Sequence, residues 1–456
     1  MDMNNKHRIL KSFSIKKLFG TTDVMIPFEG TAKILIGVNG LGKTQVLNIL
    51  YYTLSKRFNK LVEYVFDSIT IEFGDNTKVN INNSNRKKKA IDNPLVKNVL
   101  QVTGFTQFLQ LYTIVNNAKD VAFALRINPL SRKIIETTHL TSMMIEEAMK
   151  LWAMNEQADL LDEDLIKKQK MIDVHLSDYE ILYFPTYRRI EEDFKGLRYN
   201  EEKFDINHDS SSLIHFDMDD VQKRFAEIAQ NIDKLSKEGF AKISNEILSQ
   251  LIKGFPIIDT LFLHTITQKD IEIILARVGN QLPTAHKDII QKMVSNKEIQ
   301  EKDKYLLYFL QKLIDIYKQQ RVLDQSIKQF RDVCNKYLVN KKVIYDESRI
   351  EIYVQLDKSS EKLELAKLSL GEKQIISIFS KVYLASEECR FIVLFDEPEL
   401  SLAIDWQQNL LPDIVKSGKC HFLLAVTHSP FIFENELEKY AIGLNVYFKP
   451  SKPHAA

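Results

Sequence analysis

For its 456 residues the chain is poor in glycine (14) and proline (11). That scarcity disfavours a loop-rich all-β or collagen-like protein and favours long helices. It has only three cysteines, Cys334, Cys389 and Cys420. They lie far apart, show neither zinc-ligand spacing nor a CxxC, and an odd number cannot all pair, so buried free thiols are expected rather than a disulfide framework. No apolar run approaches the ~18 residues of a membrane span, and the opening MDMNNKHRILKSF lacks the apolar stretch of a signal peptide. A cytoplasmic chain with no membrane partner is therefore expected. Neither sign of charge dominates: 62 Lys and Arg stand against 61 Asp and Glu, a formal charge of +1. Proteins that coat polyanions are usually more basic, which leaves at most a local patch for that purpose.

What is present fits a soluble globular chain, with 45% hydrophobic and 27% charged residues. At roughly 150 residues per domain the length allows two or three units. Ile9–Phe19 alternates in part, Val24–Phe28 is a second short strand candidate, and Lys33–Gly37 is a compact apolar strand followed at once by a helical run, Gln45–Arg57. Ser68–Phe73 and Lys78–Ile81 read as a hairpin around Gly74-Asp75-Asn76. The basic run Arg86–Lys89 reads as a solvated loop, with a nucleic-acid or partner contact as the alternative. Residues 131–174 are mostly helical, Ile181–Pro185 returns to strand character, and 196–340 is again helical, with amphipathic segments such as Asp303–Leu338 but no sustained heptad. A hairpin is expected over Val343–Leu356. Phe391–Phe395 and Phe422–Val426 read as buried parallel strands.

Three segments carry chemistry. Gly37-Val38-Asn39-Gly40-Leu41-Gly42-Lys43-Thr44 satisfies G-x-x-x-x-G-K-[ST] between a strand and a helix. Glycines let backbone N–H groups wrap phosphates, and the helix N-terminus adds positive dipole. Gly37, Asn39, Gly40, Gly42, Lys43, Thr44 and Gln45 are thus the expected phosphate cradle for ATP, with Lys43 on the β- and γ-phosphates and the Thr44 hydroxyl on Mg²⁺. Phe391–Phe395 runs into Asp396-Glu397, which places two acids at the carboxyl edge of a sheet. Asp396 suits Mg²⁺, and Glu397 suits a general base on the attacking water. Leu368-Ser369-Leu370-Gly371-Glu372-Lys373-Gln374 opens a helix, where a hydroxyl and backbone N–H groups could receive a γ-phosphate; the alternative for Ser369 is an ordinary helix cap.

These segments, together with Thr427-His428-Ser429 after the last long strand, resemble the head of ABC-type ATPases. The resemblance implies an α/β fold: an ABC-type P-loop ATPase head with a mixed β-sheet and a large helical insertion. It implies head-to-tail dimers in which Ser369, Gly371 and Glu372 complete the facing subunit's ATP site, and a γ-phosphate contact by His428. Transporter heads carry L-S-G-G-Q; here Leu370 replaces the first glycine and Glu372 follows the second. That variant, the 324 residues between Thr44 and Ser369, and Asp396-Glu397-Pro398-Glu399-Leu400-Ser401-Leu402 are similar to the OLD/RecF/Rad50-like branch. There the stretch around Ser401 crosses the dimer interface. The Q-loop glutamine has no secure counterpart; Gln107 is one candidate. With Tyr183-Phe184-Pro185-Thr186-Tyr187-Arg188-Arg189, the pattern resembles ATPases of anti-phage defence systems such as Septu, retrons and PARIS. Arg188 and Arg189 could reach nucleotide or a partner, or form surface salt bridges.

On that resemblance residues 1–195 form the N-terminal part of the head, with a helical segment over 131–174. Residues 196–340 form an insertion for assembly and partner contacts, and 341–456 the C-terminal part. Only 28 residues follow His428, too few for a nuclease domain. The expected protein is an ATPase sensor and scaffold that builds a homo-oligomer from head-to-tail dimers, with a hexamer among the sizes considered. It would hold a separate TOPRIM-type, AriB-like nuclease inactive until a phage trigger protein binds, with nucleic acid not required. The competing reading is a RecF/Rad50-like DNA-repair ATPase. A transporter motor is a distant third.

Overall fold

In the computed structural model, residues 8–38, 40–82, 95–96, 98–99, 102–103, 111–112, 115, 121–160, 163–186, 218–256, 267–278, 282–296 and 298–451 are described. Asn39, the Arg86–Lys89 run, Gln107, Arg188 and Arg189 lie outside them. The chain divides into two units. The first takes Met1–Ile214, Arg390–Leu400 and His421–Ala456; the second takes His215–Cys389 and Ser401–Cys420.

Partial alternation at the start of the chain gives β1 (Leu10–Leu18), whose inward residues Leu10, Phe13, Ile15 and Leu18 are fully buried. It pairs antiparallel with β2 (Thr22–Pro27) and β4 (Ser68–Phe73). β4 in turn pairs with β5 (Lys78–Asn82) across a turn in which Asn76 takes φ +69°. With β13 (Phe448–Pro450) on the other edge, the order of this sheet is β13-β2-β1-β4-β5. It shares an apolar core with one face of the second sheet and with α1 (Lys43–Leu54), as the burial of Phe13, Ile15, Leu47, Leu50, Leu394 and Leu424 in one cluster shows.

The second sheet positions the site. Its order is β12 (Ala441–Gly443), β3 (Ala32–Ile36), β11 (Cys420–Thr427), β10 (Phe391–Asp396), β6 (Glu180–Phe184). β3 pairs parallel with β11 and β12, and β10 pairs parallel with β6. All six residues of β10 are buried, as a strand covered on both faces requires. β11 lies between the strand that feeds the glycine loop and the strand that ends in the two acids, although it follows both in sequence. α1 is fixed to this sheet by a buried bond from the Tyr183 hydroxyl to Asn48 Oδ1 (2.5 Å) and by the Tyr51 and Tyr183 rings, 4.7 Å apart. α2 (Val121–Ile127), α3 (Pro129–Thr137), α4 (Ser142–Leu160) and α5 (Glu163–Leu176) supply the helical stretch expected over 131–174.

In the second unit α6 (Met218–Lys253), α7 (Gln268–Arg277), α8 (Thr284–Ser295) and α9 (Lys304–Cys334) make up the long helical region. A buried ion pair holds α7 to α9: Arg277 donates to both carboxylate oxygens of Asp324, at 2.7 and 3.0 Å. Burial opposes the Arg277 charge, but Asp324 overcomes it and holds the guanidinium above its ordinary value. α9 then leads into an antiparallel sheet of β7 (Lys341–Asp346), β8 (Glu351–Leu356) and β9 (Lys362–Leu363). α10 (Leu370–Tyr383) and α11 (Ile404–Lys416) complete the unit.

None of the three cysteines forms a disulfide, but only Cys334 is buried; Cys389 and Cys420 are half-buried, so the expectation of three buried thiols holds for one. Cys389 lies in the connection before β10 and Cys420 opens β11, and chain ends of strands are less covered than their middles. Among the described residues no helix is long and apolar enough to cross a membrane.

Candidate functional site

The carboxyl ends of β3, β11 and β10 sit level, because the Gly37 N–H donates to Thr427 O (3.3 Å) and the Glu397 N–H to Val426 O (2.9 Å). The loops leaving them therefore open at one edge of the sheet, the usual ligand edge of a parallel α/β layer. From β3 the chain turns through Gly40 and Gly42, both at φ near +85°, a region that disfavours any side chain. A Cβ on Gly42 would also lie 2.7 Å from the Phe19 ring, and one on Gly37 would lie 2.9 Å from Leu41. Sterics thus demand glycine at 42 independently of any ligand. Gly42 caps α1, whose first-turn N–H groups have no partner within the helix.

Lys43 is only 4% exposed; its Nζ donates to Gly37 O (2.5 Å) and lies 3.9 Å from Glu397 Oε1. A buried ammonium is thereby held over the loop between carbonyls and a carboxylate. Thr44, next on α1, donates its hydroxyl to Asp396 Oδ1 at 3.1 Å. Asp396 is 1% exposed. Gln45 is exposed on the same helical turn. Glu397 takes φ +48°, a left-handed conformation that costs a non-glycine residue about 1 kcal/mol and aims its carboxylate over the strand end.

His428, just past the end of β11, is held by Glu399, a residue to which the motif itself gives no role. Its Nδ1 lies 3.0 Å from Glu399 Oε1, and its backbone N–H donates to the same oxygen at 3.0 Å. Glu397 Oε1 is 3.8 Å from Nδ1. The nearly buried Glu399 carboxylate thus fixes both the ring and the backbone of His428, which leaves the ring about half exposed. The motif showed that Glu399 was present. The fold alone brings it to a histidine 29 residues later.

The structure therefore assembles Lys43, Thr44, Asp396, Glu397 and His428 at one edge within the first unit. Ser369, Gly371 and Glu372 belong to the second. Ser369 is the cap of α10: its Oγ accepts the Glu372 N–H (3.4 Å), and Glu372 Oε2 accepts the Ser369 N–H (2.8 Å), a reciprocal capping box. Glu372, expected to contact nucleotide, instead gives both carboxylate oxygens to Lys341 Nζ, at 2.6 and 2.8 Å. Burial alone would raise its pKa; Lys341 and the Ser369 N–H overcome this and hold it below the ordinary value. Gly371 is needed for close approach, since a Cβ there would stand 2.5 Å from Ser401 O and 3.3 Å from the Trp406 ring. Ser369 and Leu370 remain exposed. The chemistry available at the sheet edge is that of a polyanion cradle beside hard oxygen donors, a carboxylate and an imidazole.

Residues 9–433 match the family model described as AAA ATPase domain (AAA_15). No curated protein matches the chain. Among solved structures it is similar to an Smc head bound to the C-winged helix domain of ScpA, at 10% identity and a TM-score of 0.33, over 93% of this chain and 90% of that one. It is also similar to an Smc head domain with an extended coiled coil, bound to the C-terminal domain of ScpA, derived from Pyrococcus furiosus (11% identity, TM-score 0.34, 93% and 90% covered). A third is the Smc head domain with a coiled coil and joint derived from Pyrococcus yayanosii (15% identity, TM-score 0.31, 93% of each chain). At these TM-scores the likeness is distant.

Proposed function

The chain belongs to the AAA ATPase domain family and is an ATPase; from that premise we propose that the edge built by Lys43, Thr44, Asp396, Glu397 and His428 binds and hydrolyses Mg²⁺-ATP. The observation that carries this is the direct bond from Thr44 to Asp396 with Lys43 and Glu397 3.9 Å apart beside it. The glycine loop and the first turn of α1 receive the phosphates, and Lys43 exchanges its carbonyl partners for the β- and γ-oxygens.

Thr44 and Asp396 fit Mg²⁺ by donor chemistry. Both offer oxygen, and a site with one carboxylate and one hydroxyl suits an ion that keeps waters and takes phosphate oxygens for its remaining positions. When bound, the ion neutralises charge on the phosphates. Glu397 accepts the proton of the attacking water, its position over the strand end set by its left-handed backbone. His428, steadied by Glu399, contacts the γ-phosphate. Ser369 and the N-terminus of α10 act on the nucleotide of a second copy, with Gly371 permitting the approach of Ser401 and Glu372 holding the cap. Replacement of Lys43 by Ala should weaken ATP binding at least about tenfold, read by a fluorescent nucleotide titration; unchanged affinity would remove Lys43 from the phosphate site.

The wider role is that of an ATP-dependent sensor and scaffold in a two-gene anti-phage system, as in the PARIS ATPase AriA. ATP closes head-to-tail copies, and the α6–α9 region serves assembly and contact with a TOPRIM-type nuclease and a phage trigger protein. The variant signature, the Asp396–Leu402 run, and the large helical region of the second unit support this reading. A tagged pull-down from cells carrying the chain with its native flanking genes tests it. A stoichiometric nuclease-like neighbour is expected; DNA retained with no such partner would instead indicate a RecF/Rad50-like repair ATPase.

A further inference from the structure

Glu372 is a carboxylate that is 5% exposed at the third position of a helix whose cap, Ser369, is itself exposed. A carboxylate that deep is stable only if its oxygens are occupied. One oxygen holds the Ser369 N–H, and both are bridged by Lys341 Nζ, which arrives from the first residue of β7. β7 is itself fixed to the end of α9, because Asn335 accepts the Val343 N–H (2.7 Å) and donates to Val343 O (3.0 Å). On the other side Gly371 packs against Ser401 O with no room for a methyl group. The exposed pair Ser369-Leu370 is thus held on one side by the 401–406 segment and on the other by Lys341 through Glu372.

We propose that Lys341 is a positioning residue for the signature serine: by bridging the Glu372 carboxylate it fixes the capping box, and with it the direction in which Ser369 meets the nucleotide of a second copy. This rests on the split-site reading given above. Lys341 touches no substrate. Its loss leaves a buried carboxylate held, among the described residues, by Ser369 alone, and Glu372 then draws toward solvent and takes the Ser369 backbone with it. The chain's own phosphate loop belongs to the other unit.

The test uses the full chain and steady-state ATP hydrolysis. Lys341→Met should lower kcat about tenfold with ATP affinity changed less than about twofold, and Lys341→Arg, which restores a two-oxygen bridge, should recover most of it. In the double variant Lys341→Met with Glu372→Gln, no buried charge is left unpaired and an amide oxygen still caps, so the rate should exceed that of Lys341→Met alone. Mixing then assigns the effect to the right copy. Lys43→Ala chains supply an intact signature, and Ser369→Ala chains supply an intact phosphate loop, so the mixture recovers activity. Adding Lys341→Met to the Lys43→Ala chain should lower the recovered activity about tenfold, and adding it to the Ser369→Ala chain should leave it unchanged. Normal hydrolysis by Ser369→Ala alone would overturn the split-site reading itself. Impaired Ser369→Ala together with wild-type kcat in Lys341→Met, or equal loss from both placements in the mixture, would overturn the role of Lys341 and leave the split site standing.

Discussion

At the sheet edge the Glu399 carboxylate holds His428 by its ring Nδ1 and by its backbone N–H, both at 3.0 Å. Lys43, Thr44, Asp396 and Glu397 each follow from a local pattern, a strand running into glycines or acids, so their position at a strand end was legible before any contact was known. The partner of His428 was not. Glu399 is three residues past Asp396 in the chain, and only the placement of β11 beside β10 brings its carboxylate onto the histidine ring and backbone. If Glu399 acts through His428, then Glu399→Ala and His428→Ala should each lower kcat by a similar factor, about tenfold or more. The double variant should be little worse than either single one, because the two side chains act as a unit. Multiplying losses in the double variant would mean that Glu399 works elsewhere.

At the scale of elements, alternation and apolar runs anticipated β1, the β4–β5 hairpin, β6, β7, β8, β10 and β11 to within a few residues, because all of these strands but β8, which buries only Val354, bury one or both faces. The order of the parallel sheet was not legible. Nothing in a run such as Cys420–Thr427 says that it inserts between two strands already formed, since strand order is decided by nonlocal pairing. The cap of α10 shows both limits at once. The sequence displayed Ser369 and Glu372 at the spacing of a capping box, yet the nucleotide reading of the same residues competed with it, and Lys341, 31 residues from Glu372, carried no signal. Gly371 has a packing role that is measurable apart from activity. Gly371→Ala places a methyl 2.5 Å from a backbone carbonyl, so melting should report a loss of ~1–3 kcal/mol. A melting temperature equal to that of the wild type would show that the 401–406 segment yields freely.

Across the whole molecule, the N-terminal sheet is closed by contacts between distant parts of the chain, and one of them is titratable. Asp23 in β2 accepts from Lys16 Nζ (2.7 Å), from the Lys17 N–H (3.0 Å) and from the Ser451 hydroxyl (2.6 Å) beyond β13. Burial works to raise its pKa; these donors prevail and lower it to about 2. A depressed carboxylate stabilises the fold above its unfolded pKa of about 3.9, and that contribution fades as pH falls from about 4 through 2. With a quarter of the side chain exposed, screening limits it to about 1 kcal/mol. Asp23→Asn should therefore lower stability at pH 7 by about that amount and have only a small residual effect near pH 2, as urea unfolding at the two pH values would show. An equal effect at both would mean that the charge is not what holds β2 to the C-terminal strand.

The exposed Ser369-Leu370 pair and the acids of the sheet edge belong to different units, and in the proposed function two copies share one ATP site. The most direct test is the molar mass of the Glu397→Gln chain by light scattering, with and without Mg²⁺-ATP, on protein whose bound nucleotide is quantified. With its base removed the chain should retain ATP unhydrolysed and at least double in mass when nucleotide is added. A chain that binds ATP at full occupancy and keeps its nucleotide-free mass, or that hydrolyses ATP at the wild-type rate, would contradict it.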